Sequence, residues 1–354
     1  MPDRFVKKTR TALMLRAAAC VIASLGLSVS DRALAAPLFG YDAVAQRFAK
    51  PSEREKPTEL PGVNQRIAAV LTEIDTKADP ALVPYGLFQR GLYLSALARA
   101  TVLAEKGDAS AQTLVGEINR RGLGVTRNLD AALGWYQLAA EGGNREAAFQ
   151  LAFLHLDGLG VDKDKERAAK LFQQAAKKGH VLANYNVGLM HLTGEVLEKD
   201  FEKAGAHLLR AAKDGNADAQ FAMGELYREG MGVNQDEILA TIYFGKAARQ
   251  GHDTAQIEYA VRLLNGIGIG KNEEDAAWWF AINARRGNAI AQNRLAHLYR
   301  TGKGVPVDPV NMARWHLISK KAGFEDDVLD EQLSELDDEA MAVAEQLAAE
   351  WRPE

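Results

Sequence analysis

Glycine returns at a fixed interval of 36 residues: Gly107, Gly143, Gly179, Gly215, Gly251, Gly287 and Gly323. The first six are followed by Asp108, Asn144, His180, Asn216, His252 and Asn288. Six intervals without an insertion confine the chain to stacked, equivalent units. A repeat of this length cannot bury its apolar face alone and needs neighbours on both sides. Aromatic residues are 7% of the chain, alanine and glycine are plentiful, and β-branched residues do not cluster, which makes the units helical.

Each unit reads as two helices. The period glycine is a natural left-handed stop for the helix before it. The Asp or Asn after it can cap the next helix by accepting from free N–H groups. His180 and His252 hold that position as turn residues or weak caps. In the first helix, Ala111, Ala147, Ala183, Ala219, Ala255 and Ala291 share one register, and Gly116, Ala152, Gly188, Gly224, Ala260 and Ala296 follow five residues on. Small side chains there let the paired helix approach closely. First helices end at Gly122, Gly158, Gly194, Gly230, Gly266 and Gly302. A loop follows in which Val125, Val161, Val233, Ile269 and Val305 can return to the core. Second helices open at Asn128, Asp164, Asp200, Asp236, Asn272 and Asp308, and carry Trp135, Leu171, Tyr243, Trp279 and Trp315. These large side chains, with Trp278, are expected to fill space between units.

The stretches "AQFAMGELYREGMGVNQDEILATIYFGKAARQG" and "ANYNVGLMHLTGEVLEKDFEKAGAHLLRAAKDG" resemble Sel1-like repeats, relatives of the tetratricopeptide repeat. The resemblance covers residues 107–323 in six copies, and implies an all-α, right-handed α/α solenoid used as an adaptor or scaffold. One departure is visible: Val196 stands where other units have Gly124, Gly160, Gly232, Gly268 and Gly304, so the third interhelix turn should differ. Secreted relatives staple each unit with a disulfide, a feature this chain does not share.

Flanking segments divide the rest. Residues 1–35 place Arg4, Lys7, Lys8, Arg10 and Arg16 before a short apolar run and a small-residue ending at Ala33 to Ala35, the layout of a cleavable export signal cut after Ala35. The run is too short to span a bilayer comfortably, and no later segment is long enough. Cys20, the single cysteine, lies in that run without the Leu expected three residues earlier for lipid attachment, so the mature chain has neither disulfide nor thiol nucleophile. Residues 36–62 form a Pro-rich extended linker. Residues 63–106 comprise a short amphipathic helix, an irregular stretch "DPALVPYG" and a half-repeat in phase with a second helix. Residues 324–354 form acidic capping helices with Val328, Leu329, Leu333, Leu336, Val343, Leu347 and Trp351 on their apolar stripes.

Chemistry is scarce. The seven histidines have no i, i+4 pair, and HExxH, CxxC and GxSxG are absent, so neither metal nor cofactor is expected and no catalytic residue is assigned. His155 and His191 share a register with Tyr227 and Tyr299, a semipolar core-lining site. The loop "NGIGIGKNEED" follows a helix, not a strand, and lacks the Lys-Ser/Thr ending of a phosphate cradle. Without the leader the chain has 37 basic and 45 acidic residues, giving no basic footprint for nucleic acid.

The resemblance also implies that first helices line a concave face and present side chains to a protein or peptide. Its rows contain Gln150, Asn186, Glu258 and Arg294, then Phe153, Leu189, Glu225 and His297, then Arg228 and Arg300. The Asn186 register matches one where related repeats bond an extended peptide's backbone. Phe149, Phe153, Leu156, Tyr185, Leu189 and Leu192 suggest an apolar groove in the second and third units, turning charged toward the C-terminal units. The expected function is a non-enzymatic, exported scaffold binding an envelope partner in the periplasm. Leader plus repeats resembles the periplasmic repeat proteins that inhibit a sensor kinase controlling exopolysaccharide synthesis. The reading from another class is an envelope hydrolase, or a subunit modifying polysaccharide or peptidoglycan.

Overall fold

The computed structural model describes residues 82–353. The expected leader, the linker and residues 63–81 lie outside the described residues. Within them every regular element is a helix, sixteen in all. Two precede the repeats: α1 (Val83–Gln89) and α2 (Tyr93–Glu105). Six pairs follow: α3 (Ala109–Arg121) with α4 (Leu129–Glu141), α5 (Arg145–Asp157) with α6 (Lys165–Lys177), and α7 (Val181–Thr193) with α8 (Phe201–Lys213). Then come α9 (Ala217–Glu229) with α10 (Glu237–Arg249), α11 (Asp253–Asn265) with α12 (Glu273–Arg285), and α13 (Ala289–Thr301) with α14 (Pro309–Lys321). The chain closes with α15 (Asp327–Leu333) and α16 (Asp338–Glu350). Part of the stretch expected to be irregular is therefore helical, because Pro84 sits in the first turn of α1, where its missing N–H costs nothing.

The described residues form two compact units, 82–187 and 188–353. In each, successive helices pack in chain order as consecutive α/α pairs, the arrangement of a helix-pair solenoid.

Local chemistry fixes the pairs. The glycines that stop first helices, such as Gly230 and Gly302, are left-handed, with φ of 67° and 71°. Asn128, Asp164, Asp200, Asp236, Asn272 and Asp308 all cap second helices by accepting the N–H three residues on. His180 and His252 are caps: the ring Nδ1 accepts from Ala183 N–H and from Ala255 N–H, each at 3.1 Å.

Packing explains the small residues. A Cβ on Gly224 would lie 2.7 Å from the Phe244 ring, one on Gly188 2.7 Å from Leu208, and one on Gly116 2.8 Å from Tyr136. In each case the obstruction stands twenty residues on, in the paired second helix. The loop glycines pack closer still. Gly232, Gly268 and Gly304 rest on the backbone at Phe201, Glu237 and Glu273, the first residues of α8, α10 and α12, leaving no volume for a Cβ. The third turn does differ: Glu195 N–H turns to the Thr193 hydroxyl at 3.4 Å, whereas Met231 and Ile267 N–H return to helix carbonyls.

Several apolar placements depart from expectation. Val125, Val161, Val233 and Val305 are half-buried as anticipated, but Ile269 is exposed. Trp279 and Trp315 are buried and Trp135 packs against the N-terminal core, yet Trp278 is 55% exposed and leans edge-on against Trp279. On the C-terminal stripe Leu329 is fully buried while Val328 and Val343 face outward, because α15 is only two turns long and buries a single residue. Ala344 is the residue α16 buries.

Gly304→Ala should destabilise the array more than Gly215→Ala. Both backbones are left-handed, at 71° and 91°, but only Gly304 meets backbone where the Cβ would go. Overpacking of this kind costs about 1–3 kcal/mol, and paired urea titrations would reveal it as a lower midpoint for Gly304→Ala.

Candidate functional site: the first-helix face

A second set of bonds, between side chain and backbone, positions the first helices. Gln112 Nε2 donates to Ala104 O at 3.0 Å, and Gln220, Gln256 and Gln292 repeat the bond to Ala212, Ala248 and Ala284 at 3.1, 3.0 and 3.0 Å. Asn184 makes the same link to Ala176 at 3.2 Å. Each ties a first helix to a last-turn carbonyl of the preceding second helix, which also accepts the N–H of the period glycine. The recurring Ala-Gln pairs were the visible signal for this ladder, which the sequence reading did not use.

In the unit of residues 82–187 the expected groove residues are mostly engaged. Phe153 is buried edge-on against Phe149 and Phe172, at centroid distances of 4.8 and 5.0 Å. Gln150 is buried and donates to Glu146 Oε1 at 2.7 Å. Asn186 is buried and spends its Nδ2 on Leu182 O, one turn back in its own helix, at 2.7 Å. Leu156 and Tyr185 are buried as well, so the apolar strip anticipated here is core and not open surface. What remains polar is a triad: Arg120 donates to both Glu117 oxygens at 2.9 and 3.0 Å, and Tyr136 OH donates to Glu117 Oε2 at 2.7 Å. Burial, with Glu117 adding to it, raises the Tyr136 phenol well above its ordinary range, so it stays a donor.

In the unit of residues 188–353, Leu192 is buried and Leu189 half-buried. Beyond them the face is charged. Arg228 on α9 bonds Glu225 at 2.6 Å and Glu229 at 3.0 Å, and reaches Glu258 on α11 at 3.5 Å. Burial pushes the Glu225 carboxyl up to about 7; Arg228 opposes this, but Glu258 and Glu229 add to it. Arg262 is buried, bonding Glu237 at 2.7 Å and Thr241 at 3.0 Å, with its guanidinium 4.9 Å from the Phe244 ring centroid. Nothing in the repeat grammar anticipated it.

The end of the array accounts for His297. Its Nε2 meets Asp326 Oδ2 at 2.8 Å, and Asn293 donates to the same oxygen at 2.9 Å. Asp326 also caps α15, accepting from Leu329 N–H. His316 Nε2 and Lys320 Nζ converge on Asp330 at 2.8 and 2.7 Å. The acidic segment thus docks through two carboxylates on basic residues of the last repeat. His297 belongs to that clasp. Arg294 is exposed and Arg300 half-buried; among the described residues neither has an acid in ion-pair range, and Arg300 Nε lacks an acceptor.

Chemistry beyond binding is sparse here. Among the described residues no group of three or more His, Cys, Asp or Glu could hold a metal, and no helix is long and apolar enough to cross a membrane. His191 is buried with Nδ1 against Glu198 O at 2.8 Å, the core-lining role expected of that register. The glycine-rich loop of residues 265–275 borders an open hollow with Gly302, Gly304, Val305 and Pro306. Lys271 is paired there with Glu273 at 2.6 Å, and Glu273, Glu274 and Asp275 crowd the first turn of α12. That charge opposes a phosphate.

This architecture defines a helix-pair repeat protein whose polar groups largely serve its own joints. The Sel1 repeat matches residues 109–144, 145–180, 181–216, 217–252, 254–288 and 289–319, and the chain belongs to the Sel1 repeat family. Proteins built from this repeat generally act as protein–protein interaction scaffolds, and the fold is typically non-catalytic. Among solved structures, the chain is similar to a protective antigen of uropathogenic Escherichia coli strains displaying an SLR fold. Identity is 27% and the TM-score 0.60, over 72% of this chain and 56% of the other, so the chain spans little more than half of that protein's length. A Sel1 repeat protein from Oxalobacter formigenes is 28% identical with a TM-score of 0.58, over 71% of this chain and all of the other. None of the curated proteins compared with the sequence matches it.

Two outcomes are expected from the charged groups. Glu225 binds its proton more tightly folded than unfolded, so its contribution is complete below about pH 4.3, the ordinary Glu value, and is lost as pH rises to about 7. Glu225→Gln should remove that part of the stability slope in melts between pH 5 and 8. Asp326 behaves oppositely. Burial alone would raise its carboxyl, but bonds from Asn293, His297 and Leu329 N–H hold it at about 2. Its contribution is therefore complete above about pH 3.9 and lost as pH falls toward 2. Asp326→Asn should lower the melting temperature at pH 7 and approach wild type near the acid end.

Proposed function

We propose that this chain is an exported, non-enzymatic interaction scaffold that holds an envelope protein or peptide against its first-helix face. Membership of the Sel1 repeat family supports the scaffold role, and the leader-like pattern of residues 1–35 supports export to the periplasm. The observation that carries the choice of face is the pair of cations on α13. Among the described residues Arg294 and Arg300 have no carboxylate partner, while Arg228, Arg120 and Arg262 are all paired with acids within the fold. An unpaired guanidinium presents a planar, fork-like donor set suited to carboxylates. The partner is accordingly one that brings an acidic segment to α13. Control of an envelope sensor or of exopolysaccharide production is the finer reading, resting on the leader-plus-repeats layout.

Arg294→Glu, alone and with Arg300→Glu, tests the face. Crosslinked capture from envelope extract by chain expressed with its own leader should fall at least tenfold, with helicity and melting unchanged for the exposed Arg294. Undiminished capture by both variants would show that the partner binds elsewhere. Turnover of envelope polysaccharide by the purified protein would replace the scaffold reading with an enzymatic one.

A further inference from the structure

His180 and His252 stand two repeats apart in similar settings. In each, Nδ1 accepts the N–H of the third helical residue, Ala183 or Ala255, at 3.1 Å. In each, Nε2 faces a carboxylate of the preceding first helix: Glu146 Oε2 at 3.0 Å, and Asp218 Oδ1 at 3.6 Å. The rings lie flat on Phe149 and Phe221, with centroids 4.1 and 4.5 Å apart. A nitrogen that accepts an N–H must keep its lone pair, so the geometry assigns the neutral ring with its proton on Nε2.

That arrangement has room for one proton only. A second would have to sit on Nδ1, where the Ala183 or Ala255 N–H already points, and two donors would then face each other. The cationic ring would also stand at the positive end of a helix. Opposing this, Glu146 and Asp218 favour a cation. Glu146 already receives its hydrogen bond from the neutral ring, however, and Asp218 is further off and half in solvent. Among the charges nearby, Arg145 donates to the Lys178 and Gly179 carbonyls, Lys178 to Gly143 O, and Arg286 faces Asp253 at 3.7 Å. The remaining repeats place Asp108, Asn144, Asn216 or Asn288 at this position, where a side-chain oxygen and not an imidazole nitrogen accepts the N–H.

We infer that the joints opening α7 and α11 are acid-sensitive latches, released when His180 and His252 take up a proton, while the joints capped by Asp and Asn stay shut. The inference holds whatever the array binds.

Amide hydrogen exchange reads each latch directly, because the Ala183 and Ala255 N–H groups are third-residue donors held by the cap. Between pH 7.5 and 5.5, after correction for intrinsic exchange, protection at both should fall about fivefold, the equivalent of losing a cap of about 1 kcal/mol. Protection at Ala147, Ala219 and Ala291, capped by Asn144, Asn216 and Asn288, should hold. His180→Asn with His252→Asn should restore pH-independent protection at Ala183 and Ala255. Imidazole nitrogen shifts at pH 7.5 should report the Nε2–H form at both histidines. Equal changes at all five alanines, unchanged protection at Ala183 and Ala255, or the Nδ1–H form at pH 7.5 would each overturn the inference.

Discussion

The array depends on how near two helix backbones can come when no Cβ stands between them. At Gly116, Gly188 and Gly224 the first helix leaves just enough room for Tyr136, Leu208 and Phe244 to lie across it. At Gly232, Gly268 and Gly304 the loop settles on the opening residue of the preceding second helix. Contacts this close tolerate little variation, since packed interiors resist even one added methylene. The same constraint keeps the units at one length: an inserted residue would turn the wrong side chain toward these gaps.

Once the spacing is set, polar groups finish the joints. Each first helix is capped at its start, and five of the six are then tied by Gln or Asn to a last-turn carbonyl of the helix before it. These joints employ Gln112, His180, Asn184, Gln220, Gln256 and Gln292 among the buried polar side chains. Glu117 with Arg120 and Tyr136, Arg262 with Glu237 and Thr241, and Asp326 with His297 and Asn293 are each bonded within the fold. On α13, by contrast, exposed Arg294 and half-buried Arg300 have no acid in ion-pair range among the described residues.

Legibility followed range. The caps, the left-handed glycines and the helix bounds were readable because a helix end is decided by three or four adjacent residues. The departure at Val196 was readable for the same reason. The binding rows were only half readable: register showed which residues share a stripe, but not how far a neighbouring repeat covers it. Phe153 and Asn186 were expected in a groove and are buried, because Phe172 and the backbone carbonyl of Leu182 claim them. Trp278 was expected between units and stands in solvent, one residue from the buried Trp279, since a single step along a helix turns a side chain by about 100°.

Sequence by itself determined the repeat length, the two-helix unit, where each helix starts and stops, and which positions must stay small. Those are short-range consequences of backbone conformation and side-chain size. Tertiary structure alone decided which charges are neutralised and which are left over, that Asp326 reaches back to His297, and that His180 and His252 meet acids of the preceding helix. These partners lie about thirty residues apart, and only the packing of one repeat on the next brings their atoms within hydrogen-bonding or ion-pair distance.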